Sequence, residues 1–483
     1  MKKTPKVPKP RIALKPTPSP KANTSSTGNP SKWIPIEHPF ALPEAVRAAI
    51  DRLIAAGFVA YVVGGSVRDY LLGRESKDHD VATDARPDEL LKIFPDSVTV
   101  GKAFGVLKIP LQRESKTGGP AYLEIATFRQ DLEYKDGRHP VGVKFAGPAE
   151  DAQRRDFSIN ALYFDPKTSR LMDSVGGIDD LRAGRLRAIG DPEERFREDA
   201  LRLLRAVRFA SGLEFEIEKR TEMALLENAN LIRKVSPERI RDELTAMWLG
   251  ASAMRSLAML SESGLLALVL PELEALRKMP GLKGGESAVW KHLLKALTHL
   301  RRHLLTLSPV LAWSALLMDV GKPAAAKRSE GKNFNGHEKL GAELAMKIAD
   351  RLKMSRADCD GIGKRIEGHV KLREVFQMRE ATLQRLIREP EFPDLLALHR
   401  ADATATDGNL AFYEFAASTY QKFLVTAAAG DAKLVTGADL IQLGLKPGPH
   451  FSEILHSIED LALERKLSTK EEALEYVVRN FVN

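Results

Sequence analysis

Asp78 and Asp80 stand one residue apart at the end of the stretch YVVGGSVRDYLLGRESKDHD (61–80). On a strand, residues two apart point to the same side. The two carboxylates can then hold one or two divalent cations jointly, as in two-metal phosphoryl or nucleotidyl transfer. Mg2+ suits such a site, because its ligands are oxygens and substrate phosphates complete its shell. Upstream, Gly64 and Gly65 end an apolar run and open a short amphipathic segment. Glycine lets the backbone come close to a phosphate, and a helix N-terminus offers N–H donors. Arg68 falls in the first turn, within reach of the same anion. Alone, either the glycine pair or the Asp-x-Asp is a weak signal. In the order strand, Gly-Gly, Arg, helix, Asp-x-Asp they are far more specific, with a solvated loop as the plain alternative for the acids.

This stretch resembles the signature of the DNA-polymerase-beta-like nucleotidyltransferase superfamily. It is most similar to the bacterial class II branch, which holds the tRNA CCA-adding enzymes and their poly(A) polymerase relatives. RRDFSINALYFD (154–165) and REDALRLLRAVRFA (197–210) resemble further motifs of that branch. The resemblance is strong over residues 59–215 and loose beyond. It implies that Asp78 and Asp80 ligate Mg2+ and that Arg155, Asp156 and Asn160 contact ribose and triphosphate. Asn160 is equally readable as a buried hydrogen-bonding residue between strands. Glu124, in LEIATFR on a neighbouring predicted strand, could be a third carboxylate that takes or orients the proton of an attacking 3′-hydroxyl.

Glu198-Asp199-x-x-Arg202 carries the most information about substrate. On a helix, residues 199 and 202 share a face. A carboxylate accepts and a guanidinium only donates. Cytosine and adenine each offer an amino donor beside a ring-nitrogen acceptor, which matches this pair; uracil and guanine present the reverse order. A mismatched edge left unpaired in a dry pocket is costly, so protein side chains can act as the template. The resemblance implies this role for Asp199 and Arg202. Arg205 and Arg208 continue the stripe toward the triphosphate. The bland alternative is a charged helix with ordinary salt bridges.

The elements that must position these residues read as an α+β chain. A helix is expected near 45–54 and a buried strand at 59–63. Further strands are expected at 98–110, 121–128 and 157–164, with a mobile loop over 130–147. From 193 to about 415 the spacing is helical, and short helices close the chain. The expected organisation is a disordered basic tail (1–34) and a polymerase-beta-like nucleotidyltransferase head of mixed sheet and helices (35–180). A long all-helical region follows: a neck that selects nucleotide (181–250), a degenerate HD-like body (251–415) and a tRNA-binding tail (416–483).

Composition limits the alternatives. The 483 residues include 29% charged side chains and carry a formal net charge of +8. Seven lysines and Arg11, with no acid, lie in residues 1–32 and account for all of it, so 65 basic residues face 65 acidic ones in the rest. RNA affinity of the folded part must come from local patches rather than bulk charge. The single cysteine excludes an internal disulfide and points to a reducing cytoplasm. No run is long and apolar enough for a membrane span, and no stable protein partner is implied.

Residues 292–402 carry features similar to HD-type metal phosphohydrolases: His292, LLMDVGKP (316–323), His337, His369 and Asp402. Such a site needs an adjacent His-Asp pair, and Met318 stands in the His position. A degenerate fold kept for structure or RNA contact is therefore expected over an active phosphodiesterase. The loop DGRHP (136–140) and the segment 433–455 resemble parts of CCA-adding enzymes, and the last thirty residues lack a basic extension of the poly(A) polymerase kind. The sequence thus points to template-independent addition of CMP, CMP and AMP to tRNA from CTP and ATP. The alternatives are a poly(A) polymerase, a C-only or A-only enzyme, an RNA-binding protein with a vestigial site, and a phosphohydrolase working from the helical half.

Overall fold

The computed structural model describes residues 32–36, 39–76, 79–99, 105–114, 120–132, 142–280, 287–304, 306–427, 434–464 and 466–482. The basic tail up to residue 31, Asp78 and the DGRHP loop lie outside them. The chain divides into two compact units, Met1–Val269 and Leu270–Asn483.

The first unit is built on a mixed sheet. Its strands are β1 (Lys32–Pro35), β2 (Ala60–Val63), β3 (Asp80–Thr83), β4 (Val98–Thr99), β5 (Val106–Glu114) and β6 (Pro120–Thr127). After β7 (Arg129–Asp131) and β8 (Val143–Phe145) come β9 (Leu162–Asp165) and β10 (Arg170–Asp173). The order in the main sheet is β1-β10-β9-β2-β3-β6-β5-β4. β3 and β6 run parallel, and the other neighbours are antiparallel. Strand alternation sets the faces: Leu123 and Ile125 of β6 are buried, whereas Tyr122 and Glu124 face outward. Val63, Ala82, Phe128, Tyr163 and Met172 form part of the core beneath.

The helices of this unit are α1 (Glu44–Ala55), α2 (Gly65–Leu71), α3 (Pro87–Ile93), α4 (Pro148–Gln153) and α5 (Gly177–Ala183). They continue with α6 (Pro192–Glu198), α7 (Leu201–Leu213), α8 (Lys219–Asn228) and α9 (Pro237–Leu249). α2 packs on β2 and β9, and α7 packs against α9.

Three local expectations are corrected. The segment 98–110 holds two antiparallel strands, β4 and β5, rather than one, and Gly105, just before β5, takes φ +72°. Within 130–147, β7 and β8 pair as a small two-stranded sheet instead of a plain loop. In 157–164, residues Ser158–Asn160 form a 3-10 turn before β9 begins. That turn buries Ser158, whose hydroxyl donates to Asp180 Oδ2 at 2.6 Å, and turns Asn160 toward Arg68.

In the second unit, helix Ala288–His303 packs against Phe392–Thr406, and His337–Arg351 against Arg356–Gly368. Three short helices (Gly437–Gln442, His450–Leu463, Lys470–Phe481) close the chain around Leu440, Ile454, Ile458 and Val477. Among the described residues no helix is long and apolar enough to cross a membrane.

Candidate functional site

β2 ends at Val63, and Gly64 caps α2 at φ +75°, ψ −137°. A side chain is disfavoured there by the backbone. A Cβ would also stand 3.5 Å from Asp80 Oδ2 and 3.6 Å from Arg155 Nη1. Those are ordinary contact distances, so it is the left-handed backbone, not crowding, that calls for glycine at this turn. Arg68, in the next turn, is buried; its Nε donates to Asp69 Oδ1 (2.9 Å) and its Nη1 to Asn160 Oδ1 (2.7 Å).

Asp80 opens β3, and the parallel register places it opposite Glu124 of β6. Paired residues on adjacent strands project to the same face, so the sheet sets the two carboxylates side by side. On its other flank Glu124 pairs with Lys108 of β5, whose Nζ lies 2.9 Å from Glu124 Oε1. The hydrogen bond that Lys108 donates to the Glu124 carboxylate raises the Lys108 pKa. Asp80 and Glu124 offer only oxygens, a donor set that fits a hard divalent cation.

Behind this edge sits a buried network. Tyr163 OH donates to Asp151 Oδ2 at 2.5 Å, and Arg155 donates to Tyr163 OH (3.0 Å) and to Asp151 (3.2 Å). Burial pushes the Tyr163 hydroxyl above its usual range. Burial would raise Asp151 as well, but Arg155 and Arg154 outweigh it and hold its pKa down. Asp156 accepts from the Phe157 N–H (2.8 Å), from Asn160 Nδ2 (3.3 Å) and from Arg205, whose Nη2 is 2.6 Å away. Burial acts to raise Asp156 too; the Arg205 guanidinium overrides it and holds the carboxyl at about 2.

Glu198, Asp199 and Arg202 do not lie on one helix. α6 ends at Glu198, Asp199 is extended (φ −147°, ψ 101°), and α7 begins at Leu201. The physical reason is a competing local bond: Asp199 Oδ1 accepts from the Leu201 N–H at 3.1 Å and so caps the next helix. Asp199 is also gripped by Arg239 of α9, with Nη1 at 3.0 Å and Nη2 at 2.7 Å. Arg202 Nη1 donates to Glu198 Oε2 (2.7 Å) and to the Arg195 carbonyl (2.9 Å). Asp199 and Arg202 are therefore each held from behind by a different partner. Arg208 pairs with Glu243 of α9 at 2.6 Å. The Phe209 ring gathers the guanidiniums of Arg68, Arg205 and Arg208 at 5.3, 5.1 and 4.2 Å from its centroid, a favourable cation–π arrangement.

A cavity of about 700 Å³ unites these parts. Gly64, Gly65, Arg68, Asp80, Arg155, Asp156, Asn160, Asp199, Arg202, Arg205 and Arg208 all line it. Glu124 and Glu198 do not; Glu198 lies behind Arg202, and Glu124 beside Asp80. Sequence reasoning missed Lys108, Asp151, Tyr163, Phe209, Arg239 and Glu243. Phe209 falls inside the quoted arginine segment and was open to notice. Arg239 and Glu243 are 40 and 35 residues from their partners, with no local signal of the pairing.

A glycine turn and an acidic strand end facing an arginine-lined cavity define a nucleotidyltransferase head. The model described as "Poly A polymerase head domain" matches residues 60–187, that described as "Probable RNA and SrmB- binding site of polymerase A" matches 214–276, and that described as "tRNA nucleotidyltransferase domain 2 putative" matches 416–478. The chain is 33% identical over 439 residues to the CCA-adding enzyme of Lactococcus lactis subsp. lactis, covering 90% of this chain and 97% of that one. It is 42% identical over 234 residues to the CCA-adding enzyme of Bacillus licheniformis, covering 48% of this chain and 54% of the relative. The crystal structure of the Bacillus stearothermophilus CCA-adding enzyme in complex with CTP aligns with a TM-score of 0.62 at 26% identity, covering 90% of this chain and 96% of that one. The chain belongs to the family of CCA-adding enzymes, and it is an RNA nucleotidyltransferase.

Proposed function

We propose that this chain completes tRNA 3′ ends by adding CMP, CMP and AMP from CTP and ATP, with Asp78 and Asp80 as holders of Mg2+. The observation that carries this reading is the single cavity in which Gly64, Arg68 and Asp80 meet Asp199 and Arg202. One side offers what a triphosphate and a metal need, the other what a base edge needs.

Bound Mg2+ would lower the pKa of the attacking 3′-hydroxyl and offset charge developing at the α-phosphate. Arg68, Arg205 and Arg208 orient the triphosphate and the departing pyrophosphate. Asp199 accepts from the cytosine N4 or adenine N6 amino group, while Arg202 donates to cytosine N3 or adenine N1. Arg239 and Glu198 hold those two side chains in place before the base arrives, so little ordering remains to be done on binding. Asn160 and Asp156, which line the same cavity, read a ribose hydroxyl. Glu124 stands beside Asp80 as the additional carboxylate. A cytoplasmic location fits the single cysteine.

The test supplies tRNA lacking its 3′ end, Mg2+ and each NTP alone or in pairs. Addition of two C residues with CTP, and of one A once ATP is added, is the expected result. A ladder of A residues with ATP alone would instead establish a poly(A) polymerase, and incorporation of C alone or A alone would establish a split activity.

A further inference from the structure

We infer that the helical unit holds a binding pocket for a small oxyanion, a phosphate or a carboxylate, attached to a flat apolar ring. Arg400, His299 and His303 take the anion, and Tyr413 and Tyr420 wall the ring. The pocket has a volume of about 230 Å³ and lies among three helices, Ala288–His303, Phe392–Thr406 and Ala411–Ala427. Sites for drug-sized ligands run to roughly 300–1,000 Å³, so the occupant of this one is small.

Each helix gives the pocket one face. His299 and His303 are four apart on the first helix and are neighbours on its surface. Arg400 lies with Leu396, Ala397 and Ala401 on one face of the second, and Tyr413, Ala417 and Tyr420 recur at spacings of four and three on the third. The alanines are why space remains. Ala397, Ala401 and Ala417 each offer only a methyl group where the helices meet, and larger side chains would fill the gap. Leu300 and Leu396 are buried and give the pocket an apolar base, whereas His303 is exposed and stands at the rim. Tyr420 is braced by Phe392 and Phe423, with ring centroids 5.1 and 6.2 Å away, so the wall is set before a ligand arrives. A flat ring against such a wall gains an aromatic contact beyond its burial.

The charge of the lining is one-sided. It includes Arg400 and two histidines and no aspartate or glutamate. A guanidinium is always charged and only donates. Arg400 Nε is buried and has no hydrogen-bond partner among the described residues. An orphaned buried donor of this kind calls for an acceptor. The Arg400 guanidinium lies 5.2 Å from the centroid of the Tyr413 ring, a cation–π contact that holds it at the pocket wall. Burial, and next the charges of Arg400, His299 and Arg302, push the His303 pKa down. Like charges thus crowd at the rim with no acid in the lining to offset them, and an oxyanion relieves that crowding. The head cavity is arranged otherwise, since Arg68, Arg202, Arg205 and Arg208 each have a carboxylate of the protein as partner.

Phenyl phosphate and benzoate carry both halves of the ligand, inorganic phosphate the anion alone and phenol the ring alone. Each is titrated into the full-length protein by calorimetry, and the imidazole resonances of His299 and His303 are followed by NMR. Phenyl phosphate or benzoate is expected to bind and to shift both histidines, and the tighter of the two identifies the anion. Arg400→Gln should weaken that binding by at least about tenfold, the loss of a charge-assisted hydrogen bond, and His303→Gln by about threefold. Unchanged nucleotide incorporation shows that both variants are folded. Should Arg400→Gln fail to fold, the exposed His303→Gln and the histidine shifts of the wild type decide. Binding of neither compound, histidines that do not shift, or variants that bind as tightly as the wild type would each overturn the pocket. So would inorganic phosphate or phenol binding as tightly as the joined ligands, or a loss confined to Arg205→Ala, which would place the binding in the head cavity.

Discussion

The head cavity and the Asp319 cluster solve the same problem, holding polar groups still, in opposite surroundings. In the cavity, Asp156, Asp199, Arg202, Arg205 and Arg208 are each held by an oppositely charged side chain. Near Asp319, His337 and His369 are held by backbone carbonyls. Paired ions present charge without carrying much net charge, which suits a site that must admit and release a polyanion. Imidazoles backed by carbonyls are fixed without a charged partner. What stands behind a polar group therefore tells the two regions apart better than burial does.

The largest expected effect breaks the first half of this comparison. Asp80→Ala should lower nucleotide incorporation by roughly 10³-fold or more, the several kcal/mol that a metal supplies to a phosphoryl transition state. Glu124→Gln should cost less, since Glu124 lies outside the cavity lining and is shared with Lys108. Primer-extension rates with saturating CTP measure both, and equal losses would move Glu124 into the metal site itself. Next comes selection. Asp199→Ala removes an acceptor from the base edge, worth roughly 1.5–3 kcal/mol for a charged hydrogen bond, so discrimination against UTP and GTP should fall about 10- to 100-fold. Arg239→Ala should reproduce part of that loss without touching the base. Intact selection in Arg239→Ala would show that capping by the Leu201 N–H alone positions Asp199.

Asp156 tests the pairing by pH. Its folded-state pKa is depressed to about 2, below the ordinary aspartate value near 3.9. Stability from this pair is therefore fully present above about pH 4 and is lost as pH falls toward 2. Asp156→Asn should destabilise the protein at neutral pH by roughly 2–3 kcal/mol, because the half-buried Arg205 loses the nearer of its two carboxylate partners, Asp156 at 2.6 Å against Glu243 at 3.6 Å. It should also flatten the fall of Tm between pH 4 and 2. Calorimetry of both proteins across that range measures this, and parallel curves would remove Asp156 from the acid-sensitive set.

What could be read from sequence divides along the same line. Gly64, Gly65, Arg68 and Asp80 were legible because one strand-turn-helix carries them and local backbone chemistry demands those types. The stripe Arg202, Arg205, Arg208 was legible from helical spacing. The break at Asp199 was not, since helical periodicity continues through it while its side chain accepts from the Leu201 N–H at the start of α7. Arg239 and Glu243 sit in an ordinary-looking amphipathic helix, and only tertiary packing of α7 on α9 gives them partners. The convergence of His337 and His369 on Asp319 depends on Gly321 admitting a close helix contact, which spacing does not express.

The smallest predicted effect compares two Arg–Glu pairs of similar geometry, one in each unit. Arg208 Nε meets Glu243 Oε2 at 2.6 Å beside the cavity, and Arg351 meets Glu272 at 2.7 and 2.9 Å in the helical unit. Glu243→Gln keeps an oxygen acceptor for Arg208 but removes the charge, which roughly halves the strength of such a bond. If Glu243 works by fixing Arg208 toward the triphosphate, KM for CTP and ATP should rise about threefold to fivefold with kcat little changed, a cost of about 1 kcal/mol. If Glu243 instead competes with the triphosphate for Arg208, KM should fall. Glu272→Gln removes the same charge from an exposed pair, where such pairs contribute about 0–1 kcal/mol to stability, and should leave KM alone. A KM shift of equal size in both variants would assign the effect to overall charge rather than to the position of Arg208 at the cavity wall.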